Sequence, residues 1–145
     1  MPDPARTDLK VTNPKDAVGT RKAPLSVVPL PVVAEVGVAM LEGARKYGRH
    51  NYRDASVRGS VYFDAAWRHL SAWYEGEDTD PDSGLSHIAK AIASLVVLRD
   101  GMVNDNWIDD RPPPAKVGWQ ADLQRAVDDI FERYPDAVPA HTAGG

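Results

Sequence analysis

The 145-residue chain contains no cysteine, which excludes a disulfide framework and any thiolate metal site. A bound metal would have to sit on oxygen or histidine ligands, a donor set that favours Mg²⁺ or Mn²⁺ over structural zinc. Long apolar runs are also missing. Nothing approaches the roughly 20 residues needed to cross a bilayer, and the Met-Pro-Asp-Pro start lacks the apolar segment of a signal peptide. No membrane partner is therefore expected, and a cytoplasmic setting is. Strand-type alternation is weak and repeats are absent, so sheet and solenoid architectures have little support.

What is present is ordinary for one folded domain: 43% hydrophobic and 26% charged residues. The net charge of −4 hides an asymmetry, with ten Lys/Arg against six Asp/Glu in residues 1–58 and seven against fifteen in residues 59–145. A solvated mosaic surface produces such an imbalance. So does a phosphate-handling metalloenzyme, which needs cations for its substrate and carboxylates for its metal. The acidic overall balance speaks against nucleic acid as a partner.

Periodicity predicts an all-α fold: a small helical bundle of three core helices plus a C-terminal helix, with an extended N-terminal arm. Residues 1–28 hold four prolines and no sustained apolar period, and are expected to form that arm. A helical core follows over residues 29–104. Val33, Val36, Met40, Gly43, Ala44 and Tyr47 mark one face of its first helix, and a polar loop follows Gly48. Ser60 is expected to cap the second helix, which Gly76 stops. Asp80-Pro81 reads as N-cap and first position of the third helix, which runs to about Val103 and is apolar nearly all round, hence buried and central. A proline-rich connector (105–118), a helix over 119–135 marked by Trp119, Leu123, Ile130 and Phe131, and a loose tail (136–145) complete the chain. That last helix is expected to pack on the bundle or on a second subunit.

Five carboxylates, Glu75, Glu77, Asp78, Asp80 and Asp82, fall within eight residues at the junction of two helices. Crowded carboxylates repel unless a cation neutralises them; alternatively, Asp80 and Asp82 merely favour a helix N-terminus and the others are solvated. His69 precedes this turn and His87 follows it. If the two helices are antiparallel, both imidazoles approach the carboxylates, where they could ligate metal or bind phosphate or water. Either one alone would more simply be a satisfied core histidine. Arg45, Lys46, Arg49, His50 and Arg53 crowd the end of the first helix and its loop, with Tyr47 and Tyr52 interleaved. Such cations suit phosphate, or simply offset the helix dipole. Lys15, Arg21 and Lys22 could fold over as a lid, and Trp73, Tyr47, Tyr52 and Trp67 could stack a base or serve as core.

Several segments in one order resemble a known family: Asn13-Pro-Lys-Asp-Ala-Val-Gly19, Gly43-Ala-Arg-Lys-Tyr-Gly-Arg-His-Asn-Tyr-Arg53, Asp64-Ala-Ala-Trp-Arg-His69, Gly76-Glu-Asp78, Ser83-Gly-Leu-Ser-His87 and Asp109-Asp-Arg-Pro112. They are similar to the dATP/dGTP diphosphohydrolase-like proteins of bacteriophages, themselves related to MazG-type all-α NTP pyrophosphatases. The resemblance implies a MazG-like helical fold, a divalent metal, and attack of water on a purine deoxynucleoside triphosphate (dGTP or dATP) to release dNMP and pyrophosphate. It also implies a homo-oligomer, dimer or tetramer, and host cytoplasm as the setting if a phage encodes the chain. MazG-type enzymes hold metal with a Glu-x-x-Glu and a Glu-x-x-Asp pair. Here Glu77-x-x-Asp80 has the second spacing, whereas the first helix offers Glu35 and Glu42 seven apart.

These readings combine into one expected site. Mg²⁺ or Mn²⁺ sits on Glu35, Glu77, Asp80 and Asp82, with His69, Glu75 and Glu77 as catalytic groups. Lys15, Lys22, Arg45, Lys46, Tyr47, Arg49, Asn51, Arg68, Trp73 and His87 bind substrate. An HD-type phosphohydrolase is a rival, but it needs an adjacent His-Asp pair, and the chain has His69-Leu70 and His87-Ile88. A non-catalytic module that holds nucleic acid or a phage protein on the basic loop is the rival from another class.

Overall fold

The computed structural model describes residues 13–144, and its backbone contacts divide the chain into two compact units, one ending at Asp110 and the other beginning at Arg111. Residues 1–12 of the expected arm and Gly145 of the expected tail lie outside the described residues. The protein is all-α apart from one short ladder of two strands among the described residues.

The described part of the arm is not extended throughout. Asn13 accepts the Lys15 N–H at 3.1 Å and starts a short helix, α1 (Pro14–Gly19), with proline where no N–H is needed. A 3-10 turn (Leu25–Val27) leads to α2 (Leu30–Tyr47), the first core helix. Gly48 ends it with φ at 95°, a conformation that an L side chain would strain. The expected polar loop after it holds two further elements, a one-turn helix, α3 (Asn51–Asp54), and strand β1 (Val57–Arg58). β1 runs parallel to β2 (Trp107–Ile108), with Val57 opposite Trp107. Strands of two residues carry no alternation that a sequence reading could detect.

Two helix starts differ from expectation. Helix α4 (Gly59–Tyr74) is not capped by Ser60; Asp110, just beyond β2, accepts the Ser60 N–H at 2.8 Å and the Ser60 hydroxyl as well. The cap is thus supplied from far away in sequence. Helix α5 (His87–Val103) begins only at His87, where the Ser86 hydroxyl accepts the Ala89 N–H at 3.2 Å. Asp80 instead closes a turn: its N–H donates to the Leu85 carbonyl at 2.8 Å, its carbonyl accepts from Gly84 at 2.7 Å, and its carboxylate accepts the Asp82 N–H at 2.9 Å. The His87 N–H then donates to the Asp78 carbonyl at 3.0 Å, locking the acidic segment against the start of α5.

Helix α5 is central, packed on both α4 and α2. It presents His87, Ala89, Ala91 and Gly101 to its neighbours, and Val36 and Ala39 of α2, Gly59 and Ala66 of α4 and Val57 are buried with them. Small side chains let the helices approach closely. A Cβ at Gly101 would stand 3.2 Å from the Asn106 carbonyl oxygen and from the Val57 Cβ, so the ladder lies directly on this helix. The expectation of all-round burial fails, because Leu95 and Val96 are exposed. In the second unit, α6 (Trp119–Arg133) is the expected C-terminal helix; Asp122 in its first turn pairs with Lys116 at 3.1 Å and with Arg125. No described helix is long and apolar enough to cross a membrane.

Candidate active site

A cleft of about 420 Å³ opens within the first unit, between the C-terminal half of α2, the segment after it, and the facing sides of α4 and α5. Helical spacing decides which side chains enter. On α2, Glu42, Gly43, Lys46 and Tyr47 fall on the cleft side, three or four residues apart. His50, with a left-handed backbone (φ 66°), Asn51 and Tyr52 form the adjoining wall. Helix α4 contributes Tyr62, Arg68 and His69, and α5 contributes Lys90 and Ser94. Cations, tyrosines and two imidazoles thus face one space.

At one edge the two histidines meet. His69 Nδ1 lies 2.9 Å from His87 Nδ1, and His87 Nε2 lies 2.7 Å from Glu77 Oε1. A carboxylate only accepts, so a neutral His87 must carry its proton on Nε2 and accept at Nδ1 from His69. His69 Nε2 is then left with its lone pair. His87 is buried and Glu77 is half exposed, which links the cleft edge to solvent through a chain of three groups. Burial, and then the nearby Lys90 ammonium, hold the His69 pKa below the ordinary imidazole value. His69 is therefore neutral near pH 7 and able to donate a lone pair.

His69, Asp80 and His87 each offer a ligand atom, all within 4.8 Å of one another, and so fit a metal ion. Two imidazoles and a carboxylate are a donor set for a divalent transition-metal ion rather than for Mg²⁺, which prefers oxygen throughout. Next to this cluster runs a chain of opposite charges. Lys46 Nζ lies 2.6 Å from Glu42 Oε1, Lys90 Nζ lies 3.4 Å from Glu42 Oε2, and Lys90 Nζ lies 2.8 Å from Asp80 Oδ2. The hydrogen bond from Lys46 lowers the Glu42 pKa, and the bond from Lys90, followed by the Asp82 N–H, lowers that of Asp80. Both carboxylates are ionised at neutral pH.

The structure gathers some of the sequence-predicted residues and leaves others apart. Lys46, Tyr47, Asn51, Arg68 and His69 line the cleft; Asp80, His87 and Glu77 form the cluster at its edge. Arg49 lines an adjoining cavity of about 160 Å³, which shares Met40, Ala44, His50 and Tyr52 with the cleft. Glu35, Arg45, Lys15, Lys22 and Trp73 are exposed and line neither cavity. Glu75 ends α4, exposed, and Asp82 is exposed on the turn. Sequence reasoning missed Glu42, Tyr62 and Lys90 as site residues. The signal for Lys90 was available: it is the one charged residue in the run from Ile88 to Leu98.

An all-α core that sets a His₂Asp cluster fit for a metal ion at the edge of a cleft lined by lysines, an arginine and tyrosines defines a small helical domain with a candidate metal centre. The chain belongs to the family described as dATP/dGTP diphosphohydrolase, N-terminal, whose model matches residues 12–111. That span contains the cleft and the cluster and leaves out α6. The chain is also similar to a curated protein, the dATP/dGTP diphosphohydrolase of Salmonella phage PMBT28, at 32% identity over 96 residues. The alignment covers 66% of this chain and 32% of that relative, so the chain spans about a third of the relative's length. No solved structure matches it significantly.

Proposed function

We propose that the protein is a metal-dependent diphosphohydrolase that converts a purine deoxynucleoside triphosphate, dGTP or dATP, to dNMP and pyrophosphate. The observation that carries this reading is that His69 belongs at once to the His69/Asp80/His87 cluster and to the wall of the cationic cleft. The family description and the relative's name agree with it.

In this reading His69, Asp80 and His87 hold the cation, with Mn²⁺ ahead of Mg²⁺, and Glu77 orients His87 from behind. When bound, the cation withdraws charge from phosphorus and makes water more acidic. Lys46, Lys90 and Arg68 bind the polyphosphate, and Tyr47, Tyr52 and Tyr62 form the wall against which the base packs. Water attacks the α-phosphorus, the bond to the bridging oxygen breaks, and pyrophosphate leaves. Glu77 stands outside the cleft and serves His87 alone, so the proton of the attacking water passes to bulk solvent at the cleft mouth. A site in the host cytoplasm, where dNTPs are made, goes with this reading.

The reading includes a homo-oligomer, dimer or tetramer. Phe63, Trp67, Leu70 and Tyr74 recur at four, three and four along α4 and are all exposed, which is the seam spacing by which two copies of one helix pack. The first experiment incubates the purified protein with each dNTP and NTP under Mn²⁺, Mg²⁺ or EDTA and resolves nucleotide and phosphate products. Metal-dependent dNMP and pyrophosphate from dGTP or dATP are expected; no turnover of any nucleotide would end the proposal. Sedimentation of the same preparation tests the seam, and a monomer at all concentrations would remove it.

A further inference from the structure

We propose that Lys90 is a phosphate ligand kept in reserve, its ammonium shared between Asp80 and Glu42 until a divalent cation takes Asp80, so that cation and polyphosphate bind synergistically. This rests on the site reading above and adds to it the sharing of Lys90 with Asp80 and the coupling that follows.

Lys90 is an unusual lysine. Its side chain is only 16% exposed, on a helix whose neighbouring positions are apolar or small. An ammonium has three donors, and here they are unevenly used. One goes to Asp80 Oδ2 at 2.8 Å and one to the Ser83 hydroxyl at 3.2 Å. The third faces Glu42 Oε2 at 3.4 Å, too poorly aligned for a hydrogen bond, and that buried oxygen has no hydrogen-bond partner. Lys90 also lines the cleft. The ammonium thus has one firm anionic partner, one loose one, and access to the space where the substrate's charge would lie.

Charge balance gives the direction of the coupling. Glu42, Lys46, Asp80 and Lys90 together are neutral, two carboxylates against two ammonium groups. His69 and His87 add no charge when neutral. A dication placed on Asp80, His69 and His87 draws on the same carboxylate that Lys90 uses, and leaves the part-buried set with a surplus of two positive charges. Such a surplus is costly away from bulk water unless an anion joins it. A triphosphate in the cleft is that anion, and Lys90 is the cation released to meet it. Linkage makes the effect mutual: the anion must strengthen cation binding by the factor by which the cation strengthens anion binding.

A lysine that only staples α5 to the acidic turn would give neither effect. The test measures binding, not turnover, using Mn²⁺ and inorganic phosphate as probes on the full chain. In the wild type, saturating Mn²⁺ should raise phosphate affinity about tenfold or more, a coupling of about 1.4 kcal/mol. In Lys90→Met, Mn²⁺ alone should bind more tightly, because Asp80 has lost its competing cation, and the coupling to phosphate should largely vanish. Lys90→Arg, which keeps the charge, should retain part of it. Phosphate affinity indifferent to Mn²⁺ in the wild type would overturn the inference without any variant having to fold. Lys90→Met with unchanged Mn²⁺ affinity and unchanged coupling would overturn it as well. Wild-type turnover of dGTP or dATP together with either of those results would leave the proposed reaction standing and remove only the role of Lys90.

Discussion

Two connections border the cleft, and they are built on opposite plans. The basic one, between α2 and α4, is pinned from behind by residues that do not line the cleft. Asn106 donates its side-chain amide to the Tyr52 and Arg53 carbonyls at 2.9 and 3.2 Å, and Arg53 holds Asp100 of α5 with two bonds of 2.7 and 2.8 Å. His50, Asn51 and Tyr52 are thereby presented to the cleft by a scaffold that is not itself part of it. The acidic connection, between α4 and α5, is organised around Asp80, which closes the turn, binds Lys90 and belongs to the metal-fitting cluster. Architecture and chemistry are carried by different residues on one side and by one residue on the other. Substitutions should therefore separate folding from function in the basic connection and fail to do so in the acidic one.

The largest expected effect is Asp80→Asn. The amide oxygen can still accept the Asp82 N–H, but the charge shared by Lys90 and the cation is gone. Mn²⁺ affinity should fall by about a hundredfold or more, turnover should fall with it, and stability should drop by about 1.5–3 kcal/mol for the lost charge-assisted bond of a mostly buried pair. Calorimetric Mn²⁺ titration and urea unfolding check the two parts. A variant that loses one and keeps the other would break the comparison at its acidic end. The next effect is Asn106→Ala, which leaves two carbonyls without their donor at a cost of about 1–3 kcal/mol. Here KM for the triphosphate should rise while kcat stays within about threefold, the pattern of lost positioning for binding alone. A kcat loss as deep as that of Asp80→Asn would show that the basic connection also carries chemistry.

The difference between the two connections also explains what the sequence could reveal. Helices α2, α4 and α6 were legible because apolar positions recur at three and four and glycines stand at their ends. The approach of His69 to His87 was legible too, as a consequence of two antiparallel helices around one short turn. The start of α5 was not. Asp80-Pro81 has the residues of a helix start, but Lys90, ten positions on, takes the Asp80 carboxylate into a tertiary contact, and Gly84 with φ at 73° breaks the backbone before Ser86 caps the helix. Local propensity yields there to a long-range charge. The crowd of cations near Tyr47 was visible, but only helical phase sorts it: Lys46 shares the cleft face with Glu42, four residues before it, while Arg45 lies about 100° around the helix and stays outside. Asp110 and Asn106 act across about fifty residues of chain and leave no local pattern at all.

The smallest expected effect concerns acid, and it sharpens the comparison without any metal. Asp110 is held below the ordinary carboxylate range by the Ser60 hydroxyl and N–H, and Asp100 by its bonds to Arg53. A carboxylate with a lowered folded-state pKa contributes stability that is present above its unfolded value, about pH 4, and is lost as pH falls through the lowered folded value. Both groups are scaffold residues near the surface, so their contribution is small and screened by salt. Asp110→Asn should melt below the wild type at pH 6, and the gap should close as pH falls through the lowered folded-state value, where the wild-type carboxylate is itself protonated. Thermal melts across that range, in EDTA, check this. A gap that persists unchanged in acid would mean that Asp110 holds the start of α4 by shape and hydrogen bonding alone, and that the charge on this side of the molecule has no part in its scaffold.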